Sequence, residues 1–241
     1  MNKMNRLIKF QVRNMFKQKS FYVCLCLLIL MGPILTFIGA FNTPNYETIK
    51  VMPQMVSLLS GEISLLSTIF IALFCCLDFN EGTTKNIIGR GYSRTQVLLS
   101  KYIVSLIGLF SVYIISFTVF FFLFGVNGLG FESAMIYSII NSIFRIIAYT
   151  IFFSTISFIL EKNGSAIIAC LFAPSIIQTL LSLIDSKLKI DISKYWITNV
   201  SNEFLSDSSL TNLNYSIIFY IIYVMIFVIL GVYVAKKKEI K

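Results

Sequence analysis

The residues of this chain that could do chemistry are few, and their spacing excludes more than it allows. There is no histidine, which removes His-based triads, His metal ligands and imidazole proton relays together. The five cysteines, Cys24, Cys26, Cys75, Cys76 and Cys170, all lie inside apolar runs. A zinc site would place Cys at loop spacings, and a secreted disulfide framework would place exposed pairs. These five read as small apolar side chains. No pair of aspartates falls inside an apolar run, because Asp78 stands at the end of one, and no Gly-x4-Gly-Lys-Ser/Thr phosphate loop occurs. An enzyme is therefore not expected, intramembrane protease included, nor is a metal or cofactor in this chain. The polar chemistry gathers instead in one stretch, DFNEGTTKNIIGRGYSRTQVLLSK, residues 78–101.

That stretch reads as a built object. Asp78 and Glu81 close an apolar run, and Gly82-Thr83-Thr84-Lys85 turns into a short helical piece, Lys85 to Ile88. Gly89-Arg90-Gly91 breaks it, since glycine permits left-handed backbone. Ser93 with Gln96 three residues on has the spacing of a capping box, and a new helix runs from there through Leu98 and Leu99. A plain connector could be far shorter. The result is a helical knob, with Arg90 and Arg94 offering fork-shaped donors to a docking protein. The alternative is an ordinary polar loop whose arginines face lipid phosphates.

The elements that hold the knob follow from composition. The chain is 57% hydrophobic and only 13% charged, where a soluble domain carries about a quarter charged residues. The apolar residues come in blocks, and about 20 of them cross a bilayer. Six segments qualify: about 21–40, 57–77, 102–124, 133–160, 165–184 and 214–235. Pro33 and Pro174 interrupt the first and fifth, which bundles tolerate. Lys and Arg set the orientation. Lys3, Arg6, Lys9, Arg13, Lys17 and Lys19 precede the first span, Lys85, Arg90, Arg94 and Lys101 follow the second, and Lys236, Lys237, Lys238 and Lys241 follow the sixth. With six spans these share one side, so both termini are expected to be cytoplasmic. The net charge of +9 then reflects the positive-inside rule, and nucleic acid is not needed to explain it. The expected fold is an all-α integral membrane protein forming one domain over 1–241, with six transmembrane helices.

The leader, 1–20, reads as a basic amphipathic helix. Met4, Leu7, Ile8, Val12, Met15 and Phe16 fall on one arc, and Arg6, Lys9, Arg13 and Lys17 on the other, with Phe10 as the exception. Such a helix suits the inner membrane interface. It serves either as an anchor alone or as an elbow that also touches a cytoplasmic partner.

The run Gly82-Thr83-x-Lys85-Asn86, followed by Gly91-x-Ser93-Arg94-x6-Lys101, resembles the signature loop of the ABC-type-2 exporter permeases. It is similar above all to the small permeases that sit beside bacitracin-type and lantibiotic-type ATPases. The resemblance covers the whole chain in outline and is specific in this loop. It implies that 78–101 is a coupling loop seated in a cleft of an ATPase, through Gly82, Thr83, Lys85, Asn86, Arg90, Gly91, Ser93, Arg94 and Lys101. It implies that the leader is the elbow helix. It also implies a second permease chain, identical or a sister, and two ATPase subunits that hold the ATP and Mg. The location implied is a bacterial plasma membrane. The cargo implied is a hydrophobic or amphipathic peptide, antimicrobial or toxin, exported or defended against. The rival readings are a secondary transporter and a membrane scaffold, neither coupled to ATP.

Other polar residues carry weaker signals. Arg145 falls inside the fourth apolar segment, where a charge costs about 2.5 kcal/mol or more. It faces a pathway or chain interface and meets an acid such as Glu132, or it snorkels from a span that starts later. Glu62, near the outer end of the second segment, invites the same two readings. The bend Glu161-Lys162-Asn163-Gly164 reads as a tight turn, or else as a second, minor cytoplasmic contact. Segment 185–213 is expected outside the membrane, where the resemblance implies re-entrant outer helices, and it holds the lone tryptophan, Trp196, as an interfacial anchor or a gate.

Overall fold

A computed structural model describes residues 3–27, 30, 67–125, 133–189, 191–206 and 209–237. Among the described residues every regular element is helical. In chain order they are α1 (Lys3–Lys17), α2 (19–27), α3 (Ser67–Asn80), α4 (Thr83–Gly89), α5 (Arg94–Gly125), α6 (Ser133–Leu160) and α7 (Asn163–Leu188). A single 3-10 turn (Ser193–Tyr195), α8 (Ile197–Ser206) and α9 (Leu210–Lys237) complete it.

Among the described residues four helices are long and apolar enough to cross a membrane: Arg94–Val119, Met135–Leu160, Asn163–Leu188 and Leu210–Lys237. At about 1.5 Å per residue, 26 residues reach about 39 Å, more than the ~30 Å of hydrocarbon. These four match the third to sixth apolar segments of the sequence. The first two segments fall largely outside the described residues, which include only 21–27, 30 and 67–77 of them, in α2 and α3.

The surface says what surrounds these helices. On α7 the exposed residues include Ile168, Phe172, Ile176, Leu180 and Leu183, and on α9 Ile218, Met225, Ile229 and Tyr233. In water such faces would aggregate; in lipid they are the ordinary exterior. Hydroxyls at the surface of α5 and α7 are satisfied within their own helices. Thr118 Oγ1 donates to the Ile114 carbonyl, Thr179 Oγ1 to Ser175 and Ser111 Oγ to Ile107. Each donor is thus satisfied one turn back along its own helix, as a lipid-facing hydroxyl must be. This is a helical membrane protein.

The central helix is α6, which packs against α5, α7 and α9. Its Tyr149, Phe152 and Phe153 sit in the main core with Phe70 and Phe74 of α3 and Tyr220 of α9. Small residues set the approach of α9. The Tyr102 hydroxyl (α5) lies 2.7 Å from Thr155 Oγ1 (α6), and Gly231 of α9 lies against both. A Cβ added at Gly231 would overlap the Tyr102 hydroxyl and stand 3.2 Å from Leu98. Close helix approach at small residues is how membrane bundles gain packing, lipid being as apolar as leucine. The α6–α7 connection is tight, with Glu161 in left-handed backbone at φ 60° and Lys162 extended.

Gly231→Ala is expected to lower the melting midpoint in detergent, by an overpacking cost of about 1–3 kcal/mol. Adding Tyr102→Phe removes the overlapping oxygen and should recover part of the loss. An unchanged midpoint in the single variant would contradict this packing.

Candidate functional site

Four separate pieces of chain converge on one carboxylate. Asp78, two residues before the end of α3, forms an ion pair with Lys101 of α5 at 2.7 Å, with both side chains only 2% exposed. Gln11 of α1 donates from Nε2 to Asp78 Oδ2 at 2.7 Å. Thr83, the first residue of α4, donates from Oγ1 to Asp78 Oδ1 at 3.0 Å. Lys101 also donates to the Phe74 carbonyl at 2.8 Å and lies 4.1 Å from the centre of the Phe74 ring. A buried ammonium and a buried carboxylate thus satisfy each other, and the remaining acceptor capacity of the carboxylate is taken by α1 and α4.

The energetics explain why the whole set must be present. At 2.7 Å and an effective dielectric of about 20, attraction amounts to about 6 kcal/mol. Desolvating the two ions costs several kcal/mol each. The pair therefore adds little net stability, yet losing one member leaves a buried charge uncompensated. Asp78 lies just past the apolar run that ends at Leu77. Burial raises its pKa, but the Lys101 charge and the hydrogen bonds from Lys101, Gln11 and Thr83 outweigh burial and hold it below the ordinary 3.8. Its folded pKa is depressed, so its contribution is present above pH 3.8 and is lost as pH falls through the folded value.

A small apolar cluster joins the same pieces beside the ion pair. Leu7 of α1, Ile87 of α4 and Val97 of α5 are buried together, with Tyr92 packed on them. Further along α1, buried Met15 reaches the main core, where its sulfur would meet a Cβ at Gly108 of α5 at 2.7 Å. The protein-facing stripe of α1 is thus Leu7, Gln11 and Met15, at i, i+4 and i+8. The leader is more than an interfacial float, because one face is sealed onto its own chain. Phe10 and Phe16 both stay exposed.

The knob has the shape read from the sequence, slightly lengthened. The helical piece is Thr83–Gly89, longer than Lys85–Ile88 by two residues at its start and one at its end. Gly82 enters it at φ 67° and Gly91 leaves it at φ 83°, both left-handed. The capping box is present in both directions. Gln96 N donates to Ser93 Oγ at 3.2 Å, and Ser93 N donates to Gln96 Oε1 at 3.0 Å. Lys85, Asn86 and Arg90 are exposed, while Arg94 is half-buried in the first turn of α5. Lys101 sits inside the protein, so it acts through the ion pair and offers no surface charge. Arg6, Lys9, Arg13 and Lys17 are all exposed. Glu62 and Glu132 lie outside the described residues.

Two other expectations are refined. Arg145 is buried within α6, twelve residues from its start, with its guanidinium 5.8 Å from the Tyr149 ring centre; a position snorkelling to the surface does not describe it. Segment 185–213 does not lie wholly outside the bundle. Trp196 is buried, donating from Nε1 to the Pro174 carbonyl at 3.1 Å and stacking edge-on against Phe152 and Tyr223. Pro174 lies fourteen residues before the end of α7, about 21 Å along the helix. The chain after α7 therefore dips back into the bundle. Asp185 anchors the descent by accepting from Ile192 N and Ser193 N. Helix α8 then packs on α9 with Ile197, Val200 and Phe204 fully buried.

Sequence reasoning passed over Gln11 and treated Asp78 as a span end. A signal for Gln11 is present in the sequence. Gln11 is the polar member of the Leu7–Met15 stripe, and a polar side chain on a buried stripe requires a partner.

The fold and site define a helical membrane protein whose amphipathic leader and polar loop are joined by a buried ion pair. The chain belongs to a family described as protein of unknown function, DUF2705, whose model matches residues 15–241. No curated protein matches it.

Asp78→Asn and Lys101→Met are each expected to cost about 3–5 kcal/mol, read as lower melting midpoints and yields of folded protein. The double variant should lose less than the sum, because no charge is then stranded. Additive losses would mean that the two do not form a pair.

Proposed function

We propose that this chain is the permease subunit of an ATP-driven exporter of the ABC type. In this reading it has six spans with both termini cytoplasmic and lies in a bacterial plasma membrane. It forms the pathway as a dimer with itself or a sister permease, and takes its energy from separate ATPase subunits that bind ATP and Mg. The observation that carries the reading is the attachment of α4. Short helix α4 is tied through Thr83 to Asp78, whose buried ion pair reaches Lys101 near the start of the next long helix, and it presents Lys85, Asn86 and Arg90 outward.

The mechanism follows from that attachment. A partner ATPase that closes on ATP pushes on α4. A loosely tethered loop would absorb the push. Here Thr83, Asp78 and Lys101 pass it to α5, and Gln11 passes it to α1. Because the Ser93–Gln96 capping box starts α5 rigidly, displacement of the knob becomes a tilt of the span. Two such chains then alternate a shared pathway between inward and outward access. The resemblance of residues 82–101 to the exporter permeases supports peptide cargo, hydrophobic or amphipathic.

The test is a mild-detergent pull-down from the native membrane with mass identification of what accompanies the chain. A stoichiometric protein carrying a phosphate-loop sequence is expected. Arg90→Glu should cut its recovery roughly tenfold, equivalent to about 1.4 kcal/mol, while membrane insertion is unchanged. A chain that comes alone and still moves solute without ATP would overturn the proposal.

A further inference from the structure

The outward face of α1 has no role in the Asp78 network, and its chemistry is specific. Arg6, Lys9, Arg13 and Lys17 are exposed and, at 100° per residue, fall within an arc of about 80°. That arc lies on the far side of the helix from the sealed stripe Leu7–Gln11–Met15. Between the two runs an apolar strip of half-buried Ile8 and Val12 and exposed Phe16. No acid occurs in the sequence before Glu47. The helix thus presents three faces in rotation: one against protein, one greasy, one cationic.

The chain beyond α1 has matching chemistry. It turns at Gln18, where Gln18 N donates to the Met15 carbonyl and Phe21 N to the Gln18 carbonyl. Phe21 is buried and packs edge-on against Phe16 and Phe70. After it, Tyr22, Val23, Leu27 and Leu30 are exposed. The cationic stripe of α1 is thus followed, across one bend, by exposed apolar residues.

We infer that this stripe is a binding site for anionic phospholipid, with the headgroup on Arg6, Lys9, Arg13 and Lys17 and the acyl chains along α2. Charge complementarity selects an anionic headgroup, and the exposed apolar residues on both sides of the bend select a lipid over a soluble anion. A purely protein partner would leave Val23, Leu27 and Leu30 without a place in the interface. The inference rests on the membrane character of the chain and is independent of the ATPase reading. It also puts the lipid back to back with the Asp78 network, because Gln11 is on the opposite face of the same helix.

The experiment uses the full chain in bilayer nanodiscs of equal phosphatidylglycerol and phosphatidylcholine with matched acyl chains. Lipids retained on the released protein are counted by native mass spectrometry. The expected result is preferential retention of phosphatidylglycerol. Each Gln replacement at Arg6, Lys9, Arg13 or Lys17 should lower that preference about fivefold, the equivalent of about 1 kcal/mol per cation at the surface. These side chains lie outside the packed face, so folding is retained, and Arg13→Gln alone suffices if the fourfold variant is lost. Lys85→Gln with Arg90→Gln, on the knob, should leave the preference unchanged. Equal retention of both lipids by the wild-type chain would overturn the inference, as would a preference that survives the fourfold variant. So would a fourfold variant that keeps the lipid preference and loses a bound protein, which would assign the stripe to an acidic protein face.

Discussion

The buried Asp78–Lys101 ion pair sets the conditions for one end of the described bundle. Asp78 and Lys101 are almost wholly removed from solvent, and neither can be there without the other. The pair has to be surrounded by donors and acceptors, and the surrounding groups come from α1, α3 and α4. Electrostatic necessity is thereby converted into geometry. The leader must lie where Gln11 can reach, the loop must turn where Thr83 can reach, and α5 must start at a depth that brings Lys101 to Asp78. The neighbouring apolar contact of Leu7, Ile87 and Val97 closes the same three pieces against water and keeps the local dielectric low.

The opposite end of the described bundle is held by different means. There the contacts are aromatic and close-packed, with α6 at the centre and α8 folded back between its neighbours. Trp196 has one polar atom, and it meets the Pro174 carbonyl. Tyr223 likewise donates its hydroxyl to the Tyr195 carbonyl. These bonds fix the returning segment at depth, where loose backbone would otherwise face hydrocarbon. The two ends thus divide the work: a charged, multiply bonded junction at one, and an aromatic plug at the other.

Much of this architecture was legible from residue order alone. The later four apolar segments are the four long helices, because twenty apolar residues in a row have few other uses. The glycines at 82 and 91 and the Ser93–Gln96 spacing gave the knob, since capping and left-handed turns are local and depend on few residues. The ion pair was not legible, because Asp78 and Lys101 are 23 positions apart and each has a plausible role at a membrane surface. Nothing in spacing distinguishes a lysine that faces phosphate from one that is buried beside an acid. The descent of 191–206 follows from the family resemblance, which implies re-entrant helices there, and not from the residues themselves. Its polar residues suggested an outer loop, but Asn199 and Asp185 spend their polarity on chain neighbours. Asn199 Nδ2 donates to the Ser193 carbonyl and Gln178 Nε2 to Asn199 Oδ1. Arg145 shows the same limit, since composition flagged its cost without placing it.

The central claim is that α1, α4 and the start of α5 move as one body. Hydrogen exchange of backbone amides, followed by mass spectrometry on the protein in nanodiscs, tests it most directly. Amides of α1 between Leu7 and Met15 and those of α4 and the turn after it, Ile87 to Gly91, are expected to open together, with one rate and one dependence on denaturant. Free exchange in α1 while α4 stays protected, or the reverse, would show two independent elements and contradict the claim.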